Sequence, residues 1–167
     1  SNFFAGTYVL TEGALKEGDF IEIEGGIQGY VSSVGWRSTK IRDRFNNLVL
    51  IPNSKMAESV VTNFYSPETA INILITSGVA YEENLENVEV TVKDTLQQLL
   101  SVSENVANNT QPRFGFSEFG DSNINFWIFM QAKDWSASFQ LKSEIIKAVH
   151  SSFDKKGITI NYPTRRI

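Results

Sequence analysis

The chain has 167 residues, 41% hydrophobic and 12% aromatic, with 15 Lys and Arg against 19 Asp and Glu. That length and apolar content suit one medium domain or two small ones around a packed core, and exclude a disordered chain. The net charge of −4 argues against a general nucleic-acid binder, and the absence of cysteine removes disulfides, thiolate zinc sites and cysteine nucleophiles together.

The chain opens on Ser1 without a methionine, as a processed chain or a piece of a longer one would. No run approaches the roughly 18 apolar residues of a membrane span, and no basic start leads into a long apolar core as in a signal peptide. Residues 3–10, FFAGTYVL, are apolar with small residues. Residues 11–19 are polar and turn-like, with Gly13 and Gly18 as breakers.

From 20 to 53 the pattern is β. In FIEIE the isoleucines Ile21 and Ile23 face one way and Glu22 and Glu24 the other. Gly25-Gly26 is a turn signal. Residues 29–36, GYVSSVGW, read as a strand with glycines where a small barrel would bend. RSTKIRDRF continues as a strand, Asn46-Asn47 suits a tight hairpin because asparagine tolerates positive φ, and LVLIP stops at Pro52, which cannot donate to a ladder. Several short strands with tight turns suggest a small barrel of the Sm-like or SH3-like kind.

Ser66-Pro67 is a plausible domain boundary. Beyond it, residues 71–81 read as a strand with Ile71, Ile73 and Ile75 on one face. Asn84 is the expected N-cap of a helix whose stripe is Leu85, Val88, Val92, Leu96 and Leu99. RFGFSEFG and NINFWIFMQ read as two strands joined near Gly120-Asp121. Ser136 or Ser138 is expected to cap a second helix with the stripe Leu141, Ile145, Val149 and Phe153, ended by Lys155, Lys156 and Gly157. Residues 158–163, ITINYP, align Ile158, Ile160 and Tyr162 as a last strand. The order β-α-β-β-α-β is that of a ferredoxin-like split βαβ sandwich. The predicted architecture is therefore mixed β and α+β.

Chemistry-bearing constellations are scarce. His150 is the single histidine and lies one step off a helical apolar stripe, so it reads as a partly exposed helix residue rather than a metal ligand or catalytic base. The carboxylate pairs Glu22 with Glu24, Glu82 with Glu83, and Glu86 with Glu89 read as solvated faces. The Gly25, Gly26 and Gly29 spacing lacks the strand-to-helix context of a phosphate loop. No catalytic residue, metal site or cofactor is expected, and the chain is not expected to be an enzyme. RFGFSEFG loosely resembles the aromatic stacking motif of RRM domains, but its glycine and aromatics are out of register and it falls on the second strand, where the motif belongs on the third. A core of large aromatics accounts for Phe126, Trp127 and Phe129.

Taken together, GDFIEI, QGYVSSVGWRSTKIR, LVLIPNSKM and TNFYSP resemble the β domain of the MscS-like family of small-conductance mechanosensitive channels. The motif positions are Gly18 and Asp19, Gly29 and Val31, residues 37–42, then Ile51, Pro52 and Asn53, and finally Asn63 with Phe64. Downstream, residues 121–126 and KGITINYP resemble the family's carboxy-terminal α/β domain, and residues 3–10 resemble the end of its pore helix. The resemblance implies four segments: 1–17 as a short helical stub and linker, 18–66 as the barrel, 67–163 as the α/β domain, and 164–167 as a C-terminal stub.

It also implies a ring of identical subunits, typically seven, forming a vestibule on the cytoplasmic side of the inner membrane. Ions and small solutes would cross it when tension opens the pore. Gly18, Asp19, Gly29, Arg37, Thr39, Arg42, Pro52, Asn53 and Asn63 are then expected as structural or subunit-interface residues, and Lys40 and Arg44 as charges lining the vestibule or its portals. The acids Asp19, Glu22 and Glu24 are expected to pair with the basic stretch RSTKIRDR. Two other readings remain open: a soluble RNA-binding protein with Sm-like and RRM-like domains, and a soluble regulatory domain binding a small effector.

Overall fold

The computed structural model describes residues 13–165 and 167. The predicted helical stub lies outside them. The chain divides into two compact units, Ser1–Thr69 and Ala70–Ile167.

In the first unit the alternation of apolar and polar residues produces four short strands: β1 (Phe20–Ile23), β2 (Ile27–Val34), β3 (Ser38–Arg42) and β4 (Leu48–Pro52). A six-residue helix α1 (Asn53–Glu58) and a three-residue strand β5 (Val61–Asn63) follow. Sequence reasoning placed neither. All ladders are antiparallel, in the order β4-β3-β2-β1-β5. Glycine takes positive φ in the β1–β2 turn, at Gly25 and Gly26. Asn46 takes it in the β3–β4 turn, where the Asp43 carboxylate accepts from the backbone N–H groups of Phe45 and Asn47. Ile21, Ile23, Val31, Ile41, Ile51 and Met56 form the core. Phe20 is also fully buried, its ring edge-on to Tyr30 at 4.9 Å.

The second unit contains β6 (Ile71–Val79), α2 (Leu85–Val102), β7 (Arg113–Phe119), β8 (Ile124–Ala132) and α3 (Trp135–Lys156). The sheet is antiparallel with order β6-β8-β7. Strict alternation buries Ile124, Phe126, Ile128 and Met130 of β8, the last three in one core with Val92, Leu96, Leu141 and Ile145 of the helices. Between the helices, Thr95 donates its hydroxyl to Ser152 at 2.7 Å. Asn84 caps α2, its side chain accepting from Asn87 N–H, and Gly157 ends α3 in the left-handed region at φ 69°.

Two expectations are corrected here. The cap of α3 is Asp134, whose carboxylate accepts from Ala137 N–H at 2.7 Å. Only Lys133 and Asp134 separate β8 from α3, so the helix starts before Ser136 and Ser138, and Ser138 sits inside it. Residues 158–163 do not form a strand. Ala80 donates to the Thr159 carbonyl, and Asn161 exchanges backbone–amide bonds with Asn123 at 2.9 and 3.2 Å. These bonds hold the segment at the end of β6 and at the β7–β8 turn, with Ile160 lining the groove beside Leu74 and Thr76, so it forms no ladder with β6. Among the described residues the sheet therefore has three strands.

Candidate functional site

The polar residues of the first unit fall into two kinds: buried locks and exposed charges. Asp19 is buried, and its carboxylate accepts from Lys16 N–H (3.1 Å) and from the side-chain amide of Asn63 (2.8 Å). Asn63 also donates to the Ala14 carbonyl and accepts from Tyr65 N–H, so its whole amide is used. This lock ties the segment entering β1 to the segment leaving β5. Gly18, at φ 91°, turns the chain into it and donates to the Val31 carbonyl.

A second lock is built on the fully buried side chains of Thr39 and Asn53. Thr39 on β3 donates its hydroxyl to the Asn53 side-chain carbonyl at 2.8 Å, and the Asn53 amide donates to the Gly35 carbonyl at 2.7 Å. The Asn53 N–H donates in turn to the Arg37 carbonyl. Pro52, paired with Ser38 and with no N–H of its own, leads from β4 into α1. Gly29 lies where strands cross closely: a Cβ there would stand 2.2 Å from Ile41 Cγ2 and 2.5 Å from the Arg42 carbonyl oxygen.

The basic residues are all exposed. On β3 the buried side chains are Thr39 and Ile41, so Lys40 and Arg42 share the outward face. Arg37 precedes the strand and Arg44 follows it, with its guanidinium 4.8 Å from the Phe45 ring centre. Lys40 pairs across the ladder with Leu50 and Arg42 with Leu48, which are 58% and 61% exposed. The expected pairing with acids does not occur: none of the four cations is in an ion pair among the described residues. Glu22 instead accepts from Gln28 and Glu24 from Val60 N–H. The acids lie on β1 and the turn after it, separated from β3 by β2.

In the second unit, His150 is exposed on α3. With Lys142, Leu74 and Ile146 it lines a groove of about 370 Å³ between α3 and β6. Among the described residues no cluster of three or more metal-ligating side chains occurs. The aromatics of β8 divide by face: Phe126 is in the core, but Trp127 and Phe129 are half-buried on the sheet's other face, which the expectation of a single aromatic core did not foresee. Trp127 packs directly over Gly115.

The chain is similar to known proteins along its length. A family model described as mechanosensitive ion channel, beta-domain, matches residues 1–66, and one described as mechanosensitive ion channel MscS, C-terminal, matches residues 73–160. The uncharacterized MscS family protein slr0639 of Synechocystis is 30% identical over all of this chain and 54% of its own length. The large-conductance mechanosensitive channel MscMJLR of Methanocaldococcus jannaschii is 30% identical over 98% of this chain and 46% of its own. The chain thus spans about half the length of these relatives. Among solved structures, closed-state Helicobacter pylori MscS superposes with a TM-score of 0.87 at 28% identity, over 99% of this chain and 63% of that one. Arabidopsis thaliana MSL1, at 17% identity and a TM-score of 0.70, shares the fold, over 96% of this chain and 58% of its own.

Proposed function

The chain belongs to the MscS family of mechanosensitive ion channels, and from that membership we propose that it is the vestibule portion of such a channel. In this reading identical subunits, seven in the intact protein, close a ring on the cytoplasmic side of the inner membrane. Ions and small solutes cross it when tension from an osmotic downshock opens the pore. The chain has no enzymatic role. Residues 18–66 act as an Sm-like barrel and 67–163 as a ferredoxin-like sandwich.

The observation that carries the reading is the superposition on H. pylori MscS over 99% of the chain. No helix among the described residues is long and apolar enough to cross a membrane. Three further features support a wall. Lys40, Arg42 and Arg44 are exposed and in no ion pair among the described residues, and one such charge per subunit becomes a ring of charge in the assembly. Exposed Leu48 and Leu50 lie on the edge strand β4, which a neighbouring barrel would cover. The Asp19–Asn63 lock holds the barrel's entry to its exit, through which force from the membrane would pass, and the Thr39–Asn53 lock fixes β3 to α1.

Patch recording on the full-length protein tests this. Suction is expected to open a conducting pore, and reversing Lys40, Arg42 and Arg44 together to Glu is expected to shift the anion-to-cation preference toward cations. A protein that stays silent up to membrane rupture would refute the reading.

A further inference from the structure

The groove of about 370 Å³ in the second unit has three walls. Leu74 and Thr76 of β6 line one, Ile146 and Val149 of α3 the second, and Ile160 of the last segment the third. Ile160 is held there from both sides. Ala80 donates to the carbonyl of Thr159 before it, and Asn161 after it exchanges bonds with Asn123. The floor is the core itself, formed by Phe126, Ile128 and Ile145. Because the last segment forms no ladder with β6, this strip between strand and helix stays open, and Leu74 and Ile146 are each 52% exposed.

The few polar groups of the groove have a consistent character. Lys142, Ile146 and His150 follow one another at four-residue spacing on one face of α3. Lys142 and His150 are therefore about 12 Å apart along the helix, one towards each end of the groove. No carboxylate is among the described lining residues, and Lys142 is in no ion pair among the described residues. Glu144, the nearest acid in sequence, is bound by Asn105 on the side of α3 that faces α2. A ligand in the groove would thus meet an apolar floor along its length and an uncompensated positive charge at one end. Apolar burial supplies affinity in such a site, and the single charge fixes orientation. The volume stands at the small end of the roughly 300–1,000 Å³ of ligand pockets, which suits one acyl chain and not the two of a bilayer phospholipid.

We propose that this groove binds a single-chain amphiphile with an anionic head, of the fatty-acid class. The carboxylate meets the Lys142 ammonium, the chain lies over Phe126, Ile128 and Ile145, and His150 bounds its far end. The site needs one copy of the chain only, so it stands apart from the ring assembly proposed above.

Photolabelling tests this on the full-length protein in a lipid bilayer. The probe is dodecanoate carrying a diazirine at its chain end, and labelled peptides are read by mass spectrometry. Label is expected on residues 74–77 of β6 or 142–150 of α3, and excess unlabelled dodecanoate is expected to remove it. Two variants at exposed side chains, with circular dichroism as the check of folding, sharpen the result. Ile146→Trp fills the groove and Lys142→Glu sets an anion against the head, and each is expected to lower the groove label about tenfold. Groove residues left unlabelled, as they would be beneath a second copy or another protein, would overturn the site. Label undiminished in Ile146→Trp would do the same. Equal labelling by the matching dodecanol probe would overturn the anionic head.

Discussion

At the scale of single residues, the first unit is held by buried polar side chains, Asp19, Thr39 and Asn53. Asn53 is fully buried, where it accepts from the buried Thr39 hydroxyl and donates to the Gly35 carbonyl. Asn53→Ala leaves those groups without partners and is expected to cost about 2–4 kcal/mol, read as a shift of the urea midpoint at constant slope. Gly29→Ala is expected to cost about 1–3 kcal/mol through overpacking against Ile41 and the Arg42 carbonyl. Trimming Ile41 to Ala in the same chain should not restore stability, since the backbone oxygen at 2.5 Å cannot move aside and the trimmed side chain leaves a void. The family resemblance singled out Asp19, Asn63, Thr39 and Asn53. Their partnerships were not legible, because the bonded atoms stand 44 and 14 residues apart in sequence.

At the scale of elements, periodicity was a good guide wherever one face is buried. The stripes of α2 and α3 end in one core, with Leu96, Leu141 and Ile145 fully inaccessible. Leu96→Ala is expected to lower stability by about 2–5 kcal/mol in thermal or urea unfolding. Caps were less legible. Asp134, Ser136 and Ser138 are all acceptable cap residues, and the choice depends on where β8 releases the chain. Asp134→Ala should cost about 1 kcal/mol, and Ser136→Ala much less; equal losses would mean that the helix start is misplaced. The alternation of Ile158, Ile160 and Tyr162 has the period of a strand, but a strand forms only where a partner edge is in reach. In this chain the side chains of Asn123 and Asn161 take the segment elsewhere.

At the scale of the whole molecule, charge and edges are the features that matter for function. Lys40 and Arg42 sit together on the outward face of β3 without ion pairs. Arg42→Glu is therefore expected to change the stability of the isolated unit by no more than about 0.5 kcal/mol, and its effect is expected in assembly or ion preference instead. A variant clearly destabilised in urea unfolding would point to a structural role for Arg42. Composition, the order of apolar periods and the run of β-domain motifs determined the family, the mixed α and β content and most strand and helix positions. Those properties depend on residues close in sequence, through dihedral preference and the burial of one face. Only the tertiary structure decided that the face Lys40 and Arg42 share by strand alternation is clear of the acids, that Trp127 and Phe129 turn away from the core, and that the last segment forms no ladder with β6. Each of these depends on which distant backbone or side-chain group lies within hydrogen-bonding or packing distance, and local sequence does not encode that distance.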